Sequence, residues 1–83
     1  MNLLNIVKTR LGIYYDDPAK DAEINSLVES AKEFATSAGV PASSENSPLY
    51  ADLIALVCKE IYQETYRLTG NDFIIAIIGQ LRN

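Results

Sequence analysis

The stretch DPAKDAEINSLVESAKEFATSAG, residues 17–39, decides how the rest of the chain is read. Ile24, Leu27, Val28, Ala31, Phe34, Ala35 and Ala38 recur every three or four positions, the spacing that gathers side chains on one face of an α-helix. Glu23, Glu29, Lys32 and Glu33 fall mostly outside that stripe. Asp17-Pro18 marks the start, because an aspartate carboxylate can accept from free backbone N–H groups and a proline at the first helical position has no N–H to leave unpaired. Gly39 marks the end: it can take a left-handed conformation, Val40 can then fold back on Phe34 or Ala35, and Pro41 bars continuation.

The same marks recur on either side. Ser47-Pro48 opens a second, longer pattern through Leu49, Leu53, Ile54, Leu56, Val57, Ile61, Tyr62, Thr65 and Leu68, which stops at Gly70. Its apolar face is broad, as expected of a central helix. Upstream, Leu3, Leu4, Val7 and Leu11 share a face and Gly12 ends it, giving a short first helix and a connection over 12–17. Residues 41–47 form a polar loop, and a last helix runs from about Asp72 to Leu81, capped by Asn71 or Asp72. The reading contains no strand, no repeat and no low-complexity tract. It predicts an all-α fold over residues 1–83: one domain, a small bundle of about four helices with one long central helix.

Eighty-three residues sit near the size where a lone core gives marginal stability. Cys58 is the only cysteine and histidine is absent, so neither an intrachain disulfide nor a Cys/His zinc site can help. Self-association is the remaining device. Eleven acids against seven bases give a net charge of −4, which argues against a general affinity for nucleic-acid phosphate or anionic membrane. The segment from Met1 to Leu11 is too short and too polar around Asn5, Lys8 and Arg10 for a signal peptide, and no apolar run is long enough for a membrane span. The chain is expected to fold in the cytoplasm.

The last helix stands apart. At about 100° per residue, Phe73, Ile74, Ile75, Ile77, Ile78 and Leu81 spread over roughly 200° of its circumference, about twice the stripe needed to seat a helix on one core. The expectation is that it faces its own bundle on one side and another chain on the other. The competing reading is that the three preceding helices wrap it completely. Tyr62 and Tyr66, four apart on the long helix, suit half-buried positions at an interface or at the edge of the core, and Tyr14 and Tyr15 are adjacent in a loop.

Signals for chemistry are sparse. Asp16, Asp17, Asp21 and Glu23 lack the alternating ligands, turn glycine and closing glutamate of a calcium loop, and acids at a helix N-terminus are favoured by its dipole. Cys58 lies among Ile54, Val57, Ile61 and Tyr62 with no histidine to activate it, so it reads as core. Glu60, Glu64 and Arg67 read as a solvated face. No catalytic residue, metal site or cofactor is expected, and an enzyme is not.

The order of these elements, with the acidic turn leading into DxEIxxLVxxAxxF from Asp21 and the terminal FxxxIxxQLR from Phe73, resembles the head-tail connector, or DNA-packaging adaptor, family of tailed phages and prophages. The resemblance covers nearly the whole chain. It implies a non-enzymatic subunit that assembles with copies of itself into a ring below the portal vertex after genome packaging, extends the channel and offers a docking surface to connector or tail components. The implied location is the neck of the virion, assembled in the host bacterial cytoplasm. Implied partners are itself, the portal protein and neighbouring connector or tail proteins, with DNA only passing through and no membrane. In related proteins the C-terminal segment engages the portal or neighbouring subunits, which matches the wide apolar surface of Phe73 to Leu81. A channel for DNA should not grip phosphate, and Asp52, Glu60 and Glu64 are candidate channel-facing acids on charge alone. The alternative is a small helical adaptor that binds and regulates a single protein. A DNA-binding domain would need a basic recognition helix, which none of the four supplies.

Overall fold

The computed structural model describes residues 3–63 and 72–82. Those residues form four α-helices and no strand: α1 Leu3–Arg10, α2 Pro18–Ser37, α3 Pro48–Tyr62 and α4 Asp72–Leu81. The all-α reading holds.

Each boundary follows from local chemistry. The Asp17 carboxylate accepts from the backbone N–H groups of Ala19 at 3.0 Å and Lys20 at 3.3 Å, with Pro18 in the first turn. The Ser47 hydroxyl accepts from Leu49 N–H at 3.2 Å ahead of Pro48. At the end of α2, Gly39 takes φ +96° and the chain doubles back: Gly39 N–H bonds to Thr36 O and Val40 N–H to Ala35 O, both at 3.0 Å. This pair of bonds is a Schellman motif, and it drives Val40 into the core.

Gly12, at φ +79°, closes α1 by the same device. Gly12 N–H reaches Thr9 O and Ile13 N–H reaches Lys8 O. Ile13 is therefore buried, although it lies in what the sequence presents as a plain connection. The expected loop over 41–47 likewise contains one turn of 3₁₀ helix, Ala42–Ser44.

Helix α3 is the centre of the bundle and packs against each of the other three. Tyr50, Ala51, Leu53, Ile54, Ala55, Val57 and Cys58 are buried around much of its girth. From α2 it receives Ile24, Val28, Ala31 and Ala35, from α1 Val7, and from α4 Ile74 and Leu81. The predicted continuation of α3 through Thr65 and Leu68 to Gly70 lies outside the described residues, as does the proposed cap at Asn71.

Helix α4 is fastened at its C-terminal end. The Ser44 hydroxyl donates to Leu81 O at 3.1 Å, and the Arg82 side chain lies across Gly39, its Nε 2.9 Å from where a Cβ on that glycine would stand. The absent side chain at residue 39 thus serves two ends, the turn and the close passage of Arg82. No helix among the described residues is long and apolar enough to cross a membrane.

Candidate functional site

The predicted interface residues of α4 divide by burial. Ile74 and Leu81 are buried in the chain's own core, and Ile77 and Ile78 are half-buried against it. These four occupy positions i, i+3, i+4 and i+7, one ordinary amphipathic stripe. Assigning Ile74 and Leu81 to a partner is therefore corrected: they hold α4 to α3. Phe73 and Ile75 lie about 90–110° to either side of that stripe on a regular helix and remain 75% and 50% exposed. Between them on the outer side come Asp72, Ala76, Gly79 and Gln80, all exposed. The outer face of α4 is thus a row of small and polar residues bordered by two large apolar side chains.

A second exposed apolar group stands before α2. Tyr14 is 80% and Tyr15 56% exposed, which is unusual for adjacent aromatic rings. The segment that carries them is anchored on both sides, by buried Ile13 and by the Asp17 cap.

Beneath that loop lies a charged cluster that the sequence reading passed over. Lys8 is buried, with only 7% of its side chain exposed, and its Nζ sits 2.8 Å from Asp21 Oδ1 and 3.6 Å from Asp16 Oδ1. The Asp21 carboxylate beside it raises the Lys8 pKa, against the opposing effect of burial. Asp21 Oδ1 is itself buried and has no well-aligned hydrogen bond, so the ammonium beside it is what balances its charge. Asp16 is fully exposed on the outer side of the same ammonium. Neighbouring Lys20 donates to the Tyr62 hydroxyl at 3.3 Å, stands 5.4 Å from that ring's centroid and pairs with Glu23 at 3.6 Å. Its pKa is raised, first by Tyr62 and then by Glu23.

Tyr62 is therefore half-buried at the edge of the core with its hydroxyl engaged inside the chain, the blander of its two readings. Tyr50 is buried, which pushes its phenol pKa up. Tyr66 and Glu64 lie outside the described residues.

Of the candidate channel acids, Asp52 accepts from Arg10 at 2.6 Å and ties α1 to α3. This gives it a structural use that charge alone does not suggest. Glu60 is half-buried on α3 and engaged in an interaction of its own. Both basic residues of α1 are thus committed to carboxylates, Lys8 to Asp21 and Arg10 to Asp52, and neither is poised to take a phosphate.

The buried Cys58 thiol is pushed up to about 11 by desolvation, far from the thiolate a nucleophile needs. Among the described residues no three or more Asp, Glu or Cys side chains gather to hold a metal ion. Among the described residues the exposed large apolar side chains are Tyr14 and Tyr15 in the loop before α2, Phe73 and Ile75 flanking the outer side of α4, and Leu49 on α3. In comparisons with protein-family models, with curated proteins and with solved structures, nothing matches the chain.

Proposed function

We propose that this chain is a structural subunit of a tailed-phage head-tail connector, a ring of like copies beneath the portal that extends the DNA channel and docks tail components. One observation carries the proposal: α4 commits Ile74 and Leu81 to its own core and leaves Phe73 and Ile75 in water. Exposing a large aliphatic or aromatic side chain forgoes roughly 1.5–3 kcal/mol. Phe73 and Ile75 therefore add less than they could to a domain whose whole stability is about 5–15 kcal/mol. A neighbouring subunit that covers them would gain that stabilisation, and the motifs at Asp21 and Phe73 are those that resemble the family in which such covering occurs.

Charge supports the same reading. A net charge of −4, with the cations of α1 already paired, suits a channel wall that lets DNA slide rather than holding it. The role calls for no cofactor and no catalytic group.

The test is a mass measurement in solution, before and after addition of a portal protein. Growth into a large ring, alone or on the portal, is expected. A small species with no affinity for the portal at any concentration would overturn the proposal and favour an adaptor for a single protein partner.

A further inference from the structure

Tyr14 and Tyr15 stand in solvent on a segment fixed at both ends. Ile13, just before them, is buried and its N–H bonds to Lys8 O at 2.8 Å, while Asp17, just after, caps α2. Rings this exposed enclose no cavity, so they suit stacking against another macromolecule rather than capture of a small molecule.

The charge around them is mostly of one sign. Asp16, Asp17, Asp21 and Glu23 bring four carboxylates against the two ammonium groups of Lys8 and Lys20, a net charge of −2 and half of the whole chain's −4. Each carboxylate is already engaged within the chain, by Lys8, by Lys20 or by the first turn of α2, so none is a free ligand. Together they set a local field that favours cations. Both lysines report it: the Lys8 pKa is raised chiefly by Asp21, and that of Lys20 by Tyr62, then Glu23 and, to a lesser extent, Tyr15.

We infer that the Tyr14–Tyr15 pair is a docking site for an arginine-bearing segment of a different protein, whose guanidinium stacks on the tyrosine rings. A guanidinium is planar, is drawn to the negative face of a ring and sheds water more readily than an ammonium. The chain already makes a contact of this kind internally, where the Lys20 ammonium stands 5.4 Å from the Tyr62 ring centroid. A second copy is a poor occupant, since each carries −4 and four of its seven cations, Lys8, Arg10, Lys20 and Lys32, are paired with its own carboxylates. The same charge turns a nucleic acid away. The inference goes beyond the ring reading and does not depend on it, because a ring subunit and an adaptor for one protein could each carry such a surface.

The test titrates the full chain with two short end-capped peptides of glycine and serine, one carrying two arginines and the other two lysines, and follows the tyrosine ring signals by NMR. The arginine peptide should shift the Tyr14 and Tyr15 signals with a dissociation constant on the order of 1 mM, and more weakly as salt is added. It should bind about two- to fivefold more tightly than the lysine peptide, the usual margin for an exposed stack on an aromatic ring. Y14S/Y15S, first shown to keep the wild-type helical circular dichroism, should lose that preference. L49S, which removes an exposed apolar side chain elsewhere, should keep it.

Absence of any shift at several times that concentration would overturn the inference. So would equal binding of the two peptides, which marks charge without stacking, or a preference for arginine that survives in Y14S/Y15S. None of these results bears on assembly with a portal, which is read from mass in solution.

Discussion

Ile74 and Ile75 are neighbours in the sequence with the same side chain, and the structure gives them opposite duties. Ile74 is fully buried under α3, while Ile75 is half exposed on the outer flank of α4. Truncating a buried isoleucine to alanine costs about 2–5 kcal/mol, the lost transfer energy plus the cavity left behind. In a chain of this length each kcal/mol moves the melting temperature by about 4–8 °C, so I74A should melt at least about 8 °C lower.

I75A removes three carbons that are only half covered, a loss of about 1.2 kcal/mol at about 0.8 kcal/mol per fully buried carbon. Alanine returns a few tenths of a kcal/mol because it is the better helix former. The net cost is about 1 kcal/mol or less. The assay is thermal unfolding followed by circular dichroism, at low micromolar concentration and again at much higher concentration. Association stabilises by mass action, so the wild-type melting point should climb with concentration, and I75A should flatten that climb. I74A should keep it, shifted down as a whole. Equal losses for both variants at low concentration would refute the division of α4 into a core side and an open side.

Three further outcomes follow from particular contacts. D21N and K8M should each lower the melting point, since the first strands an ammonium inside the bundle and the second leaves the buried Asp21 Oδ1 with no cation beside it, and the double variant K8M/D21N should recover part of the loss. Because the Lys8 pKa is raised by folding, this pairing stabilises fully at neutral pH and is lost only as pH climbs past lysine's ordinary value of about 10.4; wild type should therefore lose more melting temperature than K8M between pH 8 and pH 11. G39A should cost about 1–2 kcal/mol by denaturant titration through its left-handed backbone, and adding R82A should fail to restore it, because the flexible Arg82 end can swing clear while φ +96° cannot relax. Cys58, buried and with its thiol pushed up to about 11, should resist an alkylating reagent at pH 8 in the folded protein and react once urea unfolds it; rapid labelling of the native chain would contradict its place in the core.

The frame of the fold was legible because capping is local chemistry. Asp17-Pro18, Gly39 and Ser47-Pro48 each settle a boundary within three or four residues, and no tertiary contact intervenes. Ile13 shows where the same rule went unapplied: it follows Gly12 as Val40 follows Gly39, and both valine and isoleucine are folded back into the core. Lys8 was obscured by its charge, although it sits on the helix beside Leu4 and Leu11, within the apolar arc of α1. A lysine in that arc must find a carboxylate, and Asp21 supplies it from a helix that sequence spacing cannot bring near.

In α4 the total greasy circumference drew attention away from the ordinary stripe inside it. Ile74, Ile77, Ile78 and Leu81 had the regular core spacing throughout, and subtracting them leaves Phe73 and Ile75 as the residues that need explaining. The pairing of Asp52 with Arg10 was out of reach for another reason, since the two are 42 positions apart and only the crossing of α1 over α3 joins them.

The way α4 is held bears on how it could serve an assembly. A surface offered on a loose segment loses conformational entropy when a partner orders it, and that loss is subtracted from the affinity. Here Ile74 and Leu81 seat the helix, the Ser44 hydroxyl caps Leu81 O, and Arg82 lies across Gly39, so the outer face is oriented before any partner arrives. The Tyr14–Tyr15 loop is held in the same manner, between buried Ile13 and the Asp17 cap. Both displays are exposed apolar groups on fixed supports, which is the arrangement that lets a small contact area bind without first being organised. The side chains that hold each display are distinct from those that form it, so stability and association should respond to separate substitutions even within the ten residues of α4.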